Sequence, residues 1–349
     1  MIASRGVSVA VRLGATWLVV AFVAMLSACV PARPATQSSP AVTLKLVVLP
    51  RLSWAPFYIA QAEGFFAEEG LQVEFVQMER SADAVPLVAQ GEIDVFAGTV
   101  NVGLMNAMAR DARIKFVADK GYYAAGGCAY SGLLARRALV ESGELASAAQ
   151  LKGRKIAMDR GTFEGYYVGK LLGGAALTVQ DVSVVEIPTT AAALLGLEDG
   201  SLDVASLSEP WLTRGIQGGY ATIWMPVQQV IPDFQAGFVA YGPALLEKNP
   251  DAGYRFMLAY RKAVRQYNLG KTPRNLDILS EQLKLDRALL EAACWQPFRE
   301  DGHINAQSVV DFQAWAVKEG FLDTPVGEER FWDARFLDRA NQTLAAAAD

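Results

Sequence analysis

Four short clusters in this chain combine hydrogen-bonding groups with flat aromatic surface, and each follows an apolar run. They are Ser53, Trp54 and Phe57; Gly98, Thr99 and Asn101; Arg160, Gly161, Thr162 and Tyr166; and Ser208, Glu209 and Trp211. Hydroxyls, an amide, a guanidinium and a carboxylate supply directional donors and acceptors, while indole and phenol rings supply stacking area. Such groups recognise a small molecule; by themselves they break no bond. His303 is the only histidine and lies in the polar stretch 300–303, far in sequence from these clusters, so neither a Ser-His-Asp triad nor a multi-histidine metal centre is supported. The sequence has no GxxxxGK[ST] phosphate loop. Each cluster also has a reading without a ligand. Trp54 and Phe57 suit a core, Thr99, Asn101 and Thr162 suit helix caps, Arg160 suits a solvated surface, and Glu209-Pro210-Trp211 suits a helix start.

The runs that precede these clusters alternate with helical patterns, which predicts strands that deliver the clusters at their carboxyl ends. Residues 42–49 read as a strand and 56–69 as a helix opened by Pro56 and closed by Gly70. Strands at 73–76, 93–97 and 114–118 then alternate with helices at 83–90 and 99–110. Past Gly143 the pattern restarts, with strands at 154–158, 182–187 and 202–207 and helices at 163–172 and 190–198. This predicts an α/β chain of two tandem units, each a mostly parallel sheet flanked by helices. An internal echo supports the repetition: Gly91-Glu92-Ile93-Asp94-Val95 and Gly200-Ser201-Leu202-Asp203-Val204 each place a helix-ending glycine and an acid before an apolar strand. Residues 238–241 read as a strand that crosses back. Beyond Pro243, amphipathic helices such as 252–267 and 307–318 are expected to cover the first sheet.

The amino terminus reads differently. Arg5 and Arg12 precede an apolar run, residues 13–26, that is short for a membrane span and ends at Leu26-Ser27-Ala28-Cys29. The layout is expected to be a signal peptide over 1–28, and its last residues resemble a bacterial lipobox, which would make Cys29 the lipidated first residue of the mature chain. Residues 29–41, polar and proline-rich, read as a tether. The expected location is therefore the extracytoplasmic face of the cell membrane, held there by lipid on Cys29. Loss of residues 1–28 removes two arginines and no acid, taking the net charge from −5 to −7, so nucleic acid is not an expected partner. Cys128 and Cys294 are the other two cysteines; they either pair or stay as separate buried thiols.

The segment Ser53-Trp54-Ala55-Pro56-Phe57-Tyr58, continuing through Gly64-Phe65-Phe66 to Gly70-Leu71, resembles the opening of the type II periplasmic binding proteins that serve sulfonates, taurine, nitrate and thiamine-precursor pyrimidines. Gly91-Glu92-Ile93-Asp94-Val95 and Leu151-Lys152-Gly153-Arg154-Lys155-Ile156-Ala157 are similar to further segments of that group, so the resemblance spans residues 44–241. It implies a two-lobe fold with two hinge crossings, lobe 1 at 42–138 and 233–349 and lobe 2 at 139–232. It also implies a binding protein that hands its solute to an ABC permease and its ATPase, with no cofactor and no catalysis. Pyrimidine-synthesising enzymes of the same fold carry a cysteine cluster and histidines, and this sequence has neither.

In such folds ligands sit beyond the strand ends, which would bring Ser53, Trp54, Phe57, Thr99, Asn101, Arg160, Thr162, Tyr166, Glu209 and Trp211 to one crevice. A carboxylate there would repel an oxoanion, so Glu209 argues for a ligand with donors. Trp54, Phe57, Tyr166 and Trp211, with Phe96 or Tyr122 nearby, would stack on a flat ring. The expected solute is a heteroaromatic vitamin or precursor, riboflavin ahead of a thiamine-precursor pyrimidine. Sulfonate, taurine or nitrate is the alternative, and an extracellular sensor module without a transporter is another.

Overall fold

The computed structural model describes residues 41–347; the expected signal peptide, Cys29 and nearly all of the tether lie outside them. Ten strands are described: β1 Val42–Val48, β2 Leu71–Gln77, β3 Val95–Thr99, β4 Lys115–Asp119, β5 Ser131–Arg136, β6 Lys155–Ala157, β7 Ser183–Val185, β8 Val204–Ser208, β9 Ala221–Pro226 and β10 Gly237–Tyr241. They form two five-stranded sheets with the orders β2-β1-β3-β10-β4 and β7-β6-β8-β5-β9. The two orders are the same if β6 to β9 stand for β1 to β4 and β5 stands for β10. In each sheet one strand runs against the rest: β10 is antiparallel to β3 and β4, and β5 is antiparallel to β8 and β9. The sheets are therefore mixed, and the reversed strand is in each case the one that has just crossed from the other lobe.

That strand also moves the lobe boundary. Because β5 belongs to the second sheet, the first crossing is residues 120–130 and not the expected 138. The second crossing is residues 227–236. The helix after β5, Arg137–Glu141, has only 5 residues and is too short to announce a new lobe in the sequence, which is why β5 reads as the tail of the first.

The internal echo is structural. Asp94 accepts a hydrogen bond from Lys45 N–H at 2.8 Å and donates its own N–H to Lys45 C=O. Asp203 does the same with Lys155 at 2.9 Å. Gly91 and Gly200, at φ +78° and +80°, end the helices before them in the left-handed conformation that glycine adopts without a Cβ penalty. The helix expected over 56–69 is broken at Gly64 into Ala55–Ala62 and Phe65–Glu68.

The carboxyl-terminal helices complete lobe 1. Helix Pro250–Asn268 lays Phe256 on Phe66 and Tyr260 on Phe57, with ring centroids 5.2 and 4.8 Å apart. Cys128, in the first crossing, is disulfide-bonded to Cys294, which follows helix Arg287–Ala292. The bond closes a sequence separation of 166 residues and ties the hinge to the helical layer of lobe 1.

Candidate functional site

A cavity of about 180 Å³ lies between the lobes, bounded by the carboxyl ends of strands from both sheets. From lobe 1 it receives Arg51, Ser53 and Trp54 after β1, Glu79 and Arg80 after β2, and Thr99 at the end of β3. The crossings add Lys120, Tyr123, Tyr130 and Ala236. From lobe 2 come Asp159, Thr162, Phe163 and Glu164 after β6, Glu186 and Thr190 around the end of β7, and Ser208 at the end of β8. The geometry follows from strand direction: β1, β2, β3, β4, β6, β7 and β8 all end at the cleft, and residues at or past their ends form the wall.

Two groups define the electrostatics of lobe 1. Trp54 is anchored by its indole N–H, which donates to Val47 C=O at 3.3 Å, and Lys120 Nζ lies 3.4 Å from the centroid of its ring. Lys120 is 1% exposed, and burial, reinforced by the nearby Arg51 charge, pulls its ammonium well below the usual lysine range. Arg51 donates across the cleft to Thr190 Oγ1 at 3.2 Å. Burial lowers its pKa as well, opposed by the charges of Glu164 and Glu79.

Lobe 2 presents carboxylates to this cationic wall. Glu164 accepts the N–H of Asp159 at 2.9 Å; burial raises its pKa, while that bond and Arg51 hold it down. Asp159 Oδ1 accepts Gly161 N–H at 3.1 Å, and its other oxygen stands 3.7 Å from Arg80 of the opposite lobe. The aromatic part of the wall is a pile of parallel rings, with Tyr123 4.8 Å from Tyr130 and 5.0 Å from Phe163. Burial raises the pKa of both phenols, so both stay neutral. Behind the cavity the backbones of the two lobes meet: Val102 N–H donates to Gly161 C=O at 2.9 Å and Phe163 N–H to Val100 C=O at 3.2 Å.

Of the ten residues expected at the crevice, Ser53, Trp54, Thr99 and Thr162 line the cavity and six do not. Phe57 is fully buried under Tyr260, on the helix face turned to the core. Asn101 caps helix Val102–Ala109, accepting Leu104 N–H at 2.8 Å, and is 1% exposed. Arg160 is exposed to solvent outside the lining. Tyr166 packs on Phe234, Phe312 and Trp315. Trp211 stands at the start of its helix with Arg214 over its ring, 4.9 Å away.

Glu209 is buried, but in a socket where Thr213 N–H, Thr213 Oγ1 and Cys294 N–H donate to its carboxylate at 3.1, 2.8 and 3.1 Å. Its expected effect against oxoanions is therefore withdrawn. Phe96 lies in the core, and Tyr122 is covered by the Arg299 guanidinium at 4.1 Å. Distance from the strand end does not separate the two sets: Glu209 directly follows β8 and misses the cleft, whereas Trp54 and Thr162 line it from several residues past β1 and β6. Of the missed residues, Lys120, Tyr123 and Tyr130 had one usable signal, that the chain between β4 and β5 must pass the cleft to change lobes, and Arg51 lies past β1 just before Ser53.

The profile of the NMT1/THI5-like family matches residues 52–268, more than half of the chain. The riboflavin-binding protein RibY of Chloroflexus aurantiacus is 24% identical over 331 residues, covering 88% of this chain and 89% of that protein. A ligand-binding component of an ABC-type import system from Staphylococcus aureus, solved with zinc bound, superposes with a TM-score of 0.71 at 16% identity, covering 86% of this chain and 99% of that one. The alkanesulfonate-binding protein SsuA of Xanthomonas axonopodis pv. citri, bound to MOPS, gives 0.69 at 15% identity, covering 85% and 100%. With this profile match and this shared two-lobe architecture, the chain belongs to the NMT1/THI5-like family and has the type II periplasmic-binding-protein fold.

Proposed function

We propose that the protein is the solute-binding component of an ABC-type importer, and that its solute is a flat heteroaromatic vitamin or precursor, riboflavin before a thiamine-precursor pyrimidine. The observation that carries this reading is the two-ended cleft: aromatic side chains Trp54, Tyr123, Tyr130 and Phe163 along the wall, buried cations on one side and carboxylates on the other. An isoalloxazine ring offers carbonyl and ring-nitrogen acceptors for Arg51 and Lys120. A ribityl chain offers hydroxyl donors for Glu164 and Asp159. The likeness to RibY supports the same choice.

The cleft lining has no histidine or cysteine among the described residues, which favours binding over catalysis. Function then consists of closure: solute docks on one lobe, the other closes on it, and the closed form is what a permease and its ATPase engage. The protein works on the extracytoplasmic face, anchored through lipid on Cys29. No described helix is long and apolar enough to cross a membrane.

One observation favours a second reading. Arg51, Arg80 and Lys120 all line the cleft while Glu209 stays outside it, which suits a sulfonate or nitrate. The test is titration of the ligand-stripped protein with riboflavin, aminopyrimidines, sulfonates and nitrate, followed by tryptophan quenching and thermal shift. Saturable binding of riboflavin supports the proposal; a response confined to anions replaces it.

A further inference from the structure

Of the three cationic side chains that line the cleft, Lys120 is the one whose nitrogen has no hydrogen-bond or ion-pair partner among the described residues; Arg51 donates to Thr190. Arg51 is close enough to Glu164 and Glu79 for both to favour its charge, and Arg80 is paired with Asp83 and Asp159. Among the described residues, Lys120 Nζ makes no hydrogen bond and no ion pair; its contact is the face of Trp54. Asp119, its neighbour in sequence, favours the ammonium through its charge but makes no hydrogen bond to it; its oxygens accept from Gly121 N–H, Gln235 Nε2 and Arg299 N–H.

The backbone gives the side chain no way out. Lys120 N–H donates to Gly237 C=O at 3.1 Å, and Gln296 Nε2 donates to Lys120 C=O at 2.9 Å. The next residue, Gly121, is at φ +97°, where a Cβ would come within 1.6 Å of Gln296 Nε2. Burying an ammonium without an acceptor is among the costliest arrangements a fold can hold. Here it is held at the wall of a cavity.

We infer that Lys120 sets the ligand class of the cleft: its ammonium, seated on the face of Trp54, requires of the bound molecule a hydrogen-bond acceptor or negative charge and rejects a cation. This rests on the reading of the cleft as the solute site and adds to it the group that selects among solutes. Riboflavin and sulfonates meet the requirement. The permanently charged ring of thiamine does not.

The test compares wild type with Lys120→Met and Lys120→Arg in titrations with riboflavin, methanesulfonate and thiamine, alongside the thermal midpoint of each ligand-free protein. Riboflavin affinity should fall at least about tenfold in Lys120→Met and largely return in Lys120→Arg, as loss of a charge-assisted hydrogen bond requires. The ligand-free Lys120→Met protein should melt no lower than wild type, because the substitution removes a buried polar group that has no hydrogen-bond acceptor. Equal riboflavin affinity in wild type and Lys120→Met overturns the inference and leaves the riboflavin reading intact. Binding of methanesulfonate in place of riboflavin, lost in Lys120→Met, overturns the riboflavin reading and upholds the role of Lys120. Thiamine binding to wild type, or a lower midpoint accompanying the loss in Lys120→Met, overturns the inference. Silence toward all three probes overturns both.

Discussion

Lys120 Nζ stands 3.4 Å from the centroid of the Trp54 ring, so the indole supports the buried cation of the cleft as well as forming part of its wall. Removing the ring therefore has two effects. Trp54→Ala should weaken solute binding by about 1–3 kcal/mol, the range for an aromatic anchor, and should lower stability by about 3–5 kcal/mol because a buried ring is replaced by a void. Trp54→Phe keeps a face for Lys120 and should recover most of both. Trp211→Ala and His303→Ala should leave affinity unchanged, since Trp211 is outside the lining and His303 is on the surface beside Asp338. Calorimetric titration of the four variants checks the set, and a loss of affinity at either control site would refute this assignment of the wall.

Arg51 reaches from lobe 1 to Thr190 of lobe 2 at 3.2 Å, a contact that requires the lobes to be close. Arg51→Met should open the solute-loaded form and weaken binding by about 1.5–3 kcal/mol, the usual worth of a hydrogen bond to a charged group. Thr190→Val should produce a smaller loss in the same direction. Arg80 also reaches across, to Asp159, but its side chain is half exposed, so Arg80→Ala should have little effect. Small-angle scattering with and without solute reads the closure directly. Full compaction of the Arg51→Met protein on loading would show that this contact does not hold the lobes together.

The strand and helix order was legible in the sequence because apolar runs and helical spacing alternate cleanly through residues 42–118 and 154–207, and the Asp94 and Asp203 echo marked equivalent corners. The two hinge strands were not equally legible. β10 announces itself before Pro243, whereas β5 follows a glycine-rich crossing and is flanked only by the five-residue helix Arg137–Glu141. In the site, Trp54 and Thr162 were readable as residues at strand ends. Glu209 and Tyr166 have the same chemistry in the sequence, yet one is consumed by Thr213 and Cys294 and the other by Phe234 and Phe312. No spacing rule separates an acid that faces a cleft from one that fastens a loop. Lys120 escaped notice because a lysine after a strand ordinarily faces water.

The disulfide between Cys128 and Cys294 closes a long loop, and cross-links of this span raise stability chiefly by limiting the unfolded chain. Reduction, or Cys128→Ser with Cys294→Ser, should lower the free energy of unfolding by about 2–5 kcal/mol. Cys294 N–H also donates to Glu209 of lobe 2 at 3.1 Å, so the cross-link holds one end of an interlobe contact. Urea titration under oxidising and reducing conditions measures the effect. Coincident unfolding curves would mean that packing alone fixes the first crossing.

Asp119 gives the fold a pH dependence of definite sign. Its carboxyl is 2% exposed, and burial raises its pKa from 3.8 to about 6 against the opposing pull of Gln235, Arg299 N–H and Gly121 N–H. A folded-state value above the unfolded one means the native chain binds the proton more tightly, so this group's stabilising contribution is fully present below pH 3.8 and is lost as pH rises to about 6. The loss is on the order of 3 kcal/mol, flattening above that pH. Asp119→Asn removes the titration but sets an amide N–H against Arg299 N–H, so its stability should be lower at pH 4 and should change less between pH 4 and 7. Unfolding midpoints in urea across that interval, wild type beside variant, decide the matter. Parallel pH profiles for the two proteins would show that Asp119 titrates in the native state as an ordinary exposed carboxylate does.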